Sequence, residues 1–346
     1  MRFLILILLP LSIFSQEKDS SKIKVSGFLE TYYAYDFSNP TTDTKLPFMY
    51  NYNRHNEFNV NNGLIRTQLQ YGNAYASIAV HAGTYVDDNY ASEDIKLVSE
   101  AYIGMYLNDN KKSSIEVGIM PSYIGFESAT TATNLTLTRS ILAENSPYFM
   151  TGIKYNYKPN DKWSFSGLVT NGWQRINRPD KTVTPALGTQ LVYKPSEKAT
   201  LNWSTFIGKE FYGTELAMRY FNNLYWDNTW NSKWRTILGF DFGIQDRSSL
   251  NDKHLYWMSP VLIAQYMINP KWQSAVRVEY YQDENNVIIA TSDAFKTSGA
   301  SINLDYLPNS KVKLRTEARY LDSKEAIFFD NKSNNFFVTT SLSFEF

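Results

Sequence analysis

Apolar and polar residues alternate with period two along most of this chain. In the segment 272–281, Val276 and Val278 share one parity, while Arg277 and Glu279 share the other. Successive side chains of a β-strand point to opposite faces, so the pattern predicts a strand with one apolar and one polar face. The alternation recurs at 24–36, 187–194, 234–245, 302–306 and 312–320, and is weaker at 58–64 and 218–226. The sequence therefore predicts an all-β chain.

Short and long polar connections alternate between these segments. The short ones fall near 72–74, 108–112, 158–161, 194–198, 227–231, 269–271 and 307–311. The long ones fall near 38–55, 87–96, 122–146, 175–184, 209–217, 246–255, 283–295 and 322–334. Seven short and eight long connections imply about 16 strands, within a range of 14 to 18, in an up-and-down antiparallel order. No linker rich in proline or glycine divides 16–346, so we expect a single domain.

The length of the alternation distinguishes a soluble sandwich from a closed barrel. Sandwich strands are usually about 5–6 residues long, whereas strands that cross a membrane need roughly 9–11. Here the alternation continues for ten or more residues per strand. Aromatic residues also flank the short turns, as in the interfacial girdle of a transmembrane barrel: Tyr71, Tyr106, Tyr157, Trp163, Tyr193, Trp203, Trp272 and Tyr306. We expect a transmembrane β-barrel.

Residues 1–15 read as a secretory signal peptide rather than as part of the fold. Arg2 precedes an apolar run, and the small Ser15 ends the segment. The run is shorter than the ~20 apolar residues of a spanning helix. The alternative is a buried N-terminal strand.

The composition excludes several classes of protein. The chain has 34 basic and 34 acidic residues, so nucleic acid is not an expected partner. It has no cysteine and three histidines, which leaves no thiolate or imidazole metal cluster, and we expect no cofactor. His81 stands alone, without the context of a catalytic triad, so we expect no enzyme. The acidic segment 87–94 lacks the spacing of a calcium loop and reads as solvated.

Several segments together resemble the OmpL-like β-barrel porin family of Bacteroidetes-type outer membranes. They are HAGTYV (81–86) with NYA (89–91), GIMPSYIGFES (118–128), SPY (146–148) with TG (151–152), NGWQ (171–174) and RVEY (277–280). The final segment 336–346 alternates and ends at Phe346, like the assembly signal of outer-membrane barrels, although an ordinary edge strand is the alternative. The resemblance implies an outer-membrane porin and carries no solute or residue role.

Parity places charged side chains on the interior face of the barrel. A barrel of 16–18 strands encloses water, so these side chains would line the pore. The predicted lining residues are Glu30, Arg66, Glu116, Arg235, Asp241, Arg277, Glu279, Arg315, Glu317 and Arg319. Since both signs occur, strong ion selectivity is not expected. The charged pairs at i and i+2, such as Arg277 with Glu279, have a simpler explanation as well: they would keep the barrel wall hydrated and rigid without forming a solute site.

The longest predicted loop, 122–146, follows the fifth strand. In general porins the loop at this position folds into the lumen, and the apolar residues of 135–143 could pack against a wall. Glu127, Arg139 and Glu144 would then be charges at a constriction. The alternative is a loop that caps the barrel from outside.

We therefore predict an integral outer-membrane porin of a Gram-negative cell, through which small hydrophilic solutes diffuse passively. The alternative is a closed or plugged barrel that binds a surface partner or serves a structural role. The expected partners are the lipid bilayer, lipopolysaccharide, the outer-membrane assembly machinery acting on the strand that ends at Phe346, and further copies of the chain.

Overall fold

The computed structural model describes residues 21–178, 184–247 and 254–346, so the predicted signal peptide 1–15 lies outside the described residues. Sixteen antiparallel strands in these ranges form one closed barrel. The strands are β1 Lys22–Asp36, β2 Phe58–Tyr71, β3 Ala74–Ala82, β4 Val98–Tyr106, β5 Ser113–Pro121, β6 Phe149–Tyr157, β7 Trp163–Thr170, β8 Ala186–Ser196, β9 Ala199–Tyr212, β10 Glu215–Thr229, β11 Trp234–Gln245, β12 Leu255–Asn269, β13 Trp272–Asp283, β14 Phe295–Tyr306, β15 Val312–Ser323 and β16 Asn334–Glu345. Each strand pairs with its neighbours in sequence, and β16 closes the ring on β1. The predicted up-and-down barrel of 16 strands is confirmed.

Among the described residues, the connections follow the predicted alternation of short turns and long loops at all positions but one, while 179–183 and 248–253 of the predicted loops 175–184 and 246–255 lie outside the described residues. The loop expected at 209–217 is wrong, because β9 and β10 continue through it as a hairpin in which Tyr212 pairs with Glu215. Gly213 has φ +60°, a conformation that favours glycine and suits a two-residue turn. The polar residues that resembled a loop include Glu210, which is a buried position of the barrel interior.

The outer face of the barrel is apolar and the interior face of its central part is polar. Val278 is 55% exposed on the outside, whereas Arg277 on the same strand is buried inside. Aromatic rings pair across neighbouring strands close to the short turns, with Trp163 and Tyr193 at a centroid distance of 4.2 Å. These rings form the aromatic belt that the sequence predicts at the membrane interface.

The expectation of a polar interior fails towards the long-loop end. There the wall contributes buried rings such as Phe206 and Trp257, which pack with Phe48 and Ile141 from two loops that turn inward. We call residues 37–57 the first loop and residues 122–148 the inner loop. Apolar side chains of both loops need an apolar wall to cover them, and this requirement overrides the alternation.

The remaining regular elements are short and lie in the loops. They are the helices α1 Thr84–Asn89 and α2 Ile141–Glu144 and the 3-10 turns Thr131–Thr133 and Phe329–Asn331. In the described ranges, every helix is too short or too polar to cross a membrane.

Candidate functional site

The inner loop lies inside the barrel and not over its mouth. Near its start, the Tyr123 hydroxyl donates to the carbonyl of Thr205 on β9 over 2.6 Å. A Cβ at Gly188 on β8 would lie 2.1 Å from that hydroxyl oxygen, so the glycine makes room for the tyrosine. The loop is thus seated against the wall, and the alternative of an outer cap does not hold.

A buried ion network on β13 and β15 holds the middle of the inner loop. Arg277 Nη2 is 2.8 Å from Glu317 Oε1, and Arg319 Nη2 is 2.6 Å from Glu279 Oε1. Arg277 also donates to the carbonyl of Thr138 over 2.6 Å, while Glu317 accepts from the Thr138 amide over 2.6 Å. The wall charges and the backbone groups of the loop thus satisfy each other's hydrogen bonds, and buried polar groups are tolerated when they are paired in this way.

Arg315 anchors the preceding part of the inner loop. Its Nε is 2.9 Å from Asp305 Oδ1, and its two Nη atoms donate to the carbonyls of Thr131 and Asn134 over 3.0 and 3.1 Å. One guanidinium therefore joins a wall carboxylate to the loop backbone, a geometry that the planar five-donor group allows and an ammonium does not.

The first loop joins the same assembly through Glu30. The Tyr52 hydroxyl donates to Glu30 Oε2 over 2.7 Å, and the Thr131 hydroxyl donates to Glu30 Oε1 over 2.9 Å. Glu30 thereby links β1, the first loop and the inner loop. The apolar run 46–50 within this otherwise polar segment was the sequence signal for an inward first loop, and sequence reasoning missed it.

All ten predicted lining residues face the interior, but seven are buried and do not contact an aqueous lumen. The buried ones are Glu30, Asp241, Arg277, Glu279, Arg315, Glu317 and Arg319. Six of these seven residues bind the two inward loops or pair with a residue that does. The exception is Asp241, which accepts a hydrogen bond from Asn223 Nδ2 over 2.6 Å. For these seven, the expectation of a water-facing wall is corrected, because the loops occupy that part of the barrel.

The other three predicted lining residues keep partly exposed side chains and are ion-paired. Arg66 pairs with Glu100 on β4. Glu116 lies 3.6 Å from Lys154 Nζ, and Arg235 Nη2 lies 2.7 Å from Asp227 Oδ2. These ions therefore present both signs to the interior.

Two of the three predicted constriction charges form a bridge across the inner loop. The Arg139 guanidinium lies 3.7 Å from the centroid of the Tyr148 ring and donates to the Ala143 carbonyl over 2.6 Å. The Tyr148 hydroxyl in turn donates to Glu144 Oε2 over 2.7 Å. We call Arg139, Tyr148 and Glu144 the septum.

Glu127, the third predicted constriction charge, lies beside the septum and is buried. Its Oε2 accepts from the Ser140 amide over 3.0 Å and from the Ser140 hydroxyl. Burial raises the pKa of the Glu127 carboxyl, against the opposing effects of Arg277 and the Ser140 hydrogen bonds.

Two cavities lie on either side of the septum. A cavity of about 340 Å³ lies between the inner loop and β2–β4, and Arg66, Glu100 and Arg139 line it. A cavity of about 220 Å³ lies towards the long loops, and Glu144 and Arg219 are among its lining residues. We call them the central cavity and the outer cavity. Arg139 and Tyr148 of the septum line the central cavity, and Glu144 lines the outer cavity.

Other candidate chemistry in the sequence is structural. The Arg54 guanidinium holds Asp88 with two hydrogen bonds of 2.7 and 2.8 Å, which occupies the acidic segment 87–94. His81 Nε2 lies 3.0 Å from the Lys96 carbonyl oxygen, and its ring packs on Tyr90. Over 21–178, 184–247 and 254–346, the His, Asp and Glu side chains form no group that could hold a metal ion.

Comparisons with known proteins agree with this architecture. A family model described as beta-barrel porin-2, OmpL-like, matches residues 22–346. The outer membrane channel DcaP of Acinetobacter baumannii has a TM-score of 0.64 at 13% identity, covering 94% of this chain and 97% of that one. An anion-selective porin from Comamonas acidovorans has a TM-score of 0.63 at 11% identity, covering 94% and 100%. OmpF of Salmonella typhi, in complex with daunomycin, has a TM-score of 0.62 at 12% identity, covering 94% and 98%. No curated protein matches the chain.

Proposed function

The chain belongs to the beta-barrel porin-2, OmpL-like family and is an outer-membrane porin, and from that premise we propose that small hydrophilic solutes diffuse passively through its barrel. The path runs through the outer cavity, past the septum and into the central cavity. The porin family and fold support a channel, and we propose that the protein has no enzymatic activity. The bilayer surrounds the apolar outer face.

The division of the interior into two sides supports this path. The inner loop lies against β8–β15 and β1, and the charged wall residues that hold it from β13, β15 and β1 are buried. On the opposite side, Arg66 and Lys154 keep side chains that are 32% and 21% exposed. Fixed charges in water-accessible space set the ion preference of a pore. We assign this role to Arg66, Glu116, Lys154 and Arg235, and the constriction to Glu127, Arg139 and Glu144.

Single-channel conductance of the purified protein in a planar bilayer tests the proposal. We expect stable open steps and a reversal potential close to zero in a salt gradient, because the exposed ions are paired. Arg66→Gln removes one positive charge from the central cavity and should shift the reversal potential towards cation preference. Lys324→Gln removes an exposed positive charge outside the barrel wall and should leave it unchanged. Open steps with identical reversal potentials in all three proteins would contradict the assignment of Arg66.

A plugged barrel is the second candidate, because an apolar cluster of wall and loop residues fills part of the interior. It contains Leu46, Phe48 and Met49 of the first loop together with Ile141 of the inner loop. Folded protein that shifts its gel mobility on heating, yet stays electrically silent, would favour this reading. Its long loops would then serve a surface partner or a structural role.

Three finer expectations complete the proposal. We propose that a signal peptide at 1–15 exports the chain, and that the assembly machinery recognises the strand ending at Phe346. We also propose that the apolar outer face contacts lipopolysaccharide and further copies of the chain. The N-terminal sequence of the protein purified from outer membranes tests cleavage of the signal peptide. The oligomeric mass of the same protein tests contact between copies of the chain. Replacing Phe346 by serine tests the assembly signal through the yield of folded barrel.

A further inference from the structure

Arg219 is a buried arginine with fewer hydrogen-bond acceptors around it than its guanidinium has donors. It lies on the interior face of β10, is 5% exposed and donates through Nε to Gln245 Oε1 over 2.8 Å. Among the described residues, no carboxylate oxygen lies within 4 Å of its guanidinium and no hydrogen bond joins its two Nη atoms. The outer cavity lies directly beside it. A buried cation with unused donors is costly unless a partner satisfies it.

The carboxylates around the outer cavity are already engaged by other donors. Glu210 Oε1 accepts from the Trp173 amide over 2.6 Å, and its Oε2 faces Arg175 at 3.6 Å. Asp283 accepts from three backbone amides of the loop 284–294 over 2.7 to 3.0 Å. Glu144 accepts from Tyr148 and from the first loop. These acids reduce the net charge of the region without occupying the Nη donors of Arg219.

Two indole rings pack near the guanidinium. The ring centroids of Trp173 and Trp257 lie 5.4 and 5.7 Å from its central carbon. A Cβ at Gly243 would lie 2.0 Å from the Trp257 ring, so only glycine leaves room for that indole. Arg219 is thus fixed by packing, with its remaining donors directed at a cavity and not at a protein acceptor. Pre-positioned groups of this kind lower the cost of binding.

We propose that Arg219 forms an anion-binding subsite in the outer cavity, and that its ligand is a small organic carboxylate. The planar guanidinium matches a carboxylate with two parallel hydrogen bonds. Trp173 and Ile288 line the same cavity and offer apolar contact to the remainder of the molecule. The cavity of about 220 Å³ is smaller than the ~300–1,000 Å³ of sites for drug-sized ligands, which restricts the ligand to small acids.

The subsite deepens the proposed function and rests on it for its purpose, since a solute held here would next meet the septum. The nearby acids Glu210 and Asp283 oppose a second negative charge. We therefore expect weak, rapidly reversible binding of a monocarboxylate, which suits a solute that must leave again for the pore to conduct.

Isothermal titration calorimetry of the full barrel in detergent with benzoate tests the subsite independently of conduction. We expect millimolar binding of benzoate and at least tenfold weaker binding of benzamide, which keeps the ring and lacks the charge. Arg219→Gln should weaken benzoate binding at least tenfold. Lys324→Gln, which removes a positive charge at the same end of the barrel, should bind as the wild type does. Arg219→Lys keeps the charge without the two-pronged donor and should give an intermediate affinity.

Several outcomes would overturn the subsite. They are absence of benzoate binding to the wild type, equal binding of benzamide, or unchanged binding in Arg219→Gln. If Arg219→Gln does not fold, as judged by gel mobility on heating, an affinity of Arg219→Lys equal to that of the wild type has the same meaning. Benzoate binding in an electrically silent barrel would refute diffusion and leave the subsite standing. Open channels in a protein that does not bind benzoate would refute the subsite and leave the proposed diffusion standing.

Discussion

Replacing Arg315 by methionine should release part of the inner loop while leaving the barrel intact. Methionine keeps an apolar stem of similar length but removes the guanidinium. Asp305 would then remain buried, with Gln273 and Asn303 still donating to it over 2.8 and 2.6 Å. The carbonyl of Asn134 would lose its Arg315 donor, and that of Thr131 would keep only the amide of Asn134.

The size of the effect follows from the burial of the pair. Removing one partner of a buried ion pair costs about 3–5 kcal/mol, because the other charge is left uncompensated. Since 1.4 kcal/mol corresponds to a factor of ten, the released state of residues 131–135 should gain about two to three and a half orders of magnitude in population. The strand pairings of β14 and β15 are not touched, so the barrel wall should persist.

Hydrogen–deuterium exchange measures this release directly. The peptide covering 131–138 should lose at least about 100-fold of its protection in Arg315→Met, and conductance should rise as the loop leaves the lumen. Lys158→Met removes one partner of an exposed ion pair in a turn and should change neither, since such pairs contribute ~0–1 kcal/mol. Protection within threefold of the wild type, in a variant that is folded by gel mobility, would refute the anchoring role of Arg315.

Three further predictions concern the wall, the first loop and the interior glycines. Val278→Arg should cost ~2–4 kcal/mol if it lies near the bilayer midplane, in urea unfolding from vesicles, whereas Val25→Arg near the turn end should cost ~0–1 kcal/mol; equal costs would contradict the depth assignment. Burial lowers the pKa of Lys45 to about 7, so docking of the first loop should weaken as pH falls from the ordinary lysine value of 10.5 towards 7. The rate of limited proteolysis in this loop should therefore be higher at pH 7 than at pH 9 in the wild type, and equal at the two pH values in Lys45→Met. Gly243→Ala should destabilise the barrel by ~1–3 kcal/mol because its Cβ would overlap a buried indole, whereas Gly167→Ala, with open space around its Cβ, should be neutral in the same unfolding assay.

The strand order could be predicted because the lipid imposes a strict rule on the outer face. Apolar residues there must alternate with interior ones, so Val276 and Val278 define the parity of β13 without any tertiary information. Segment 218–226 resisted assignment for a physical reason. Arg219 and Phe221 share the interior face, one at an anion-accessible cavity and the other in the apolar cluster, so polarity alone does not mark that face.

The roles of the interior charges could not be predicted to the same depth. Parity establishes that Arg277 and Glu317 point inward, but it carries no information about what lies opposite them. That depends on two loops whose backbone groups need buried partners, and such pairings join residues about 140 to 180 positions apart along the chain. A continuous wet wall and an anchored loop have the same alternation in sequence.

The seam between β1 and β16 makes closure of the barrel a late event in folding. Phe28 pairs with Glu345, so the strands that seal the ring lie about 300 residues apart, whereas a tight hairpin such as β9–β10 closes over two residues. Loop closure over that distance costs roughly 4 kcal/mol more entropy than a hairpin turn, since the cost grows as 1.5RT times the logarithm of length. Before β16 arrives, β1 and β15 each expose an open row of backbone donors and acceptors, which hydrocarbon does not tolerate. A chain without β16 would therefore keep two open sheet edges, and the ring formed by the other fifteen strands would stay unsealed.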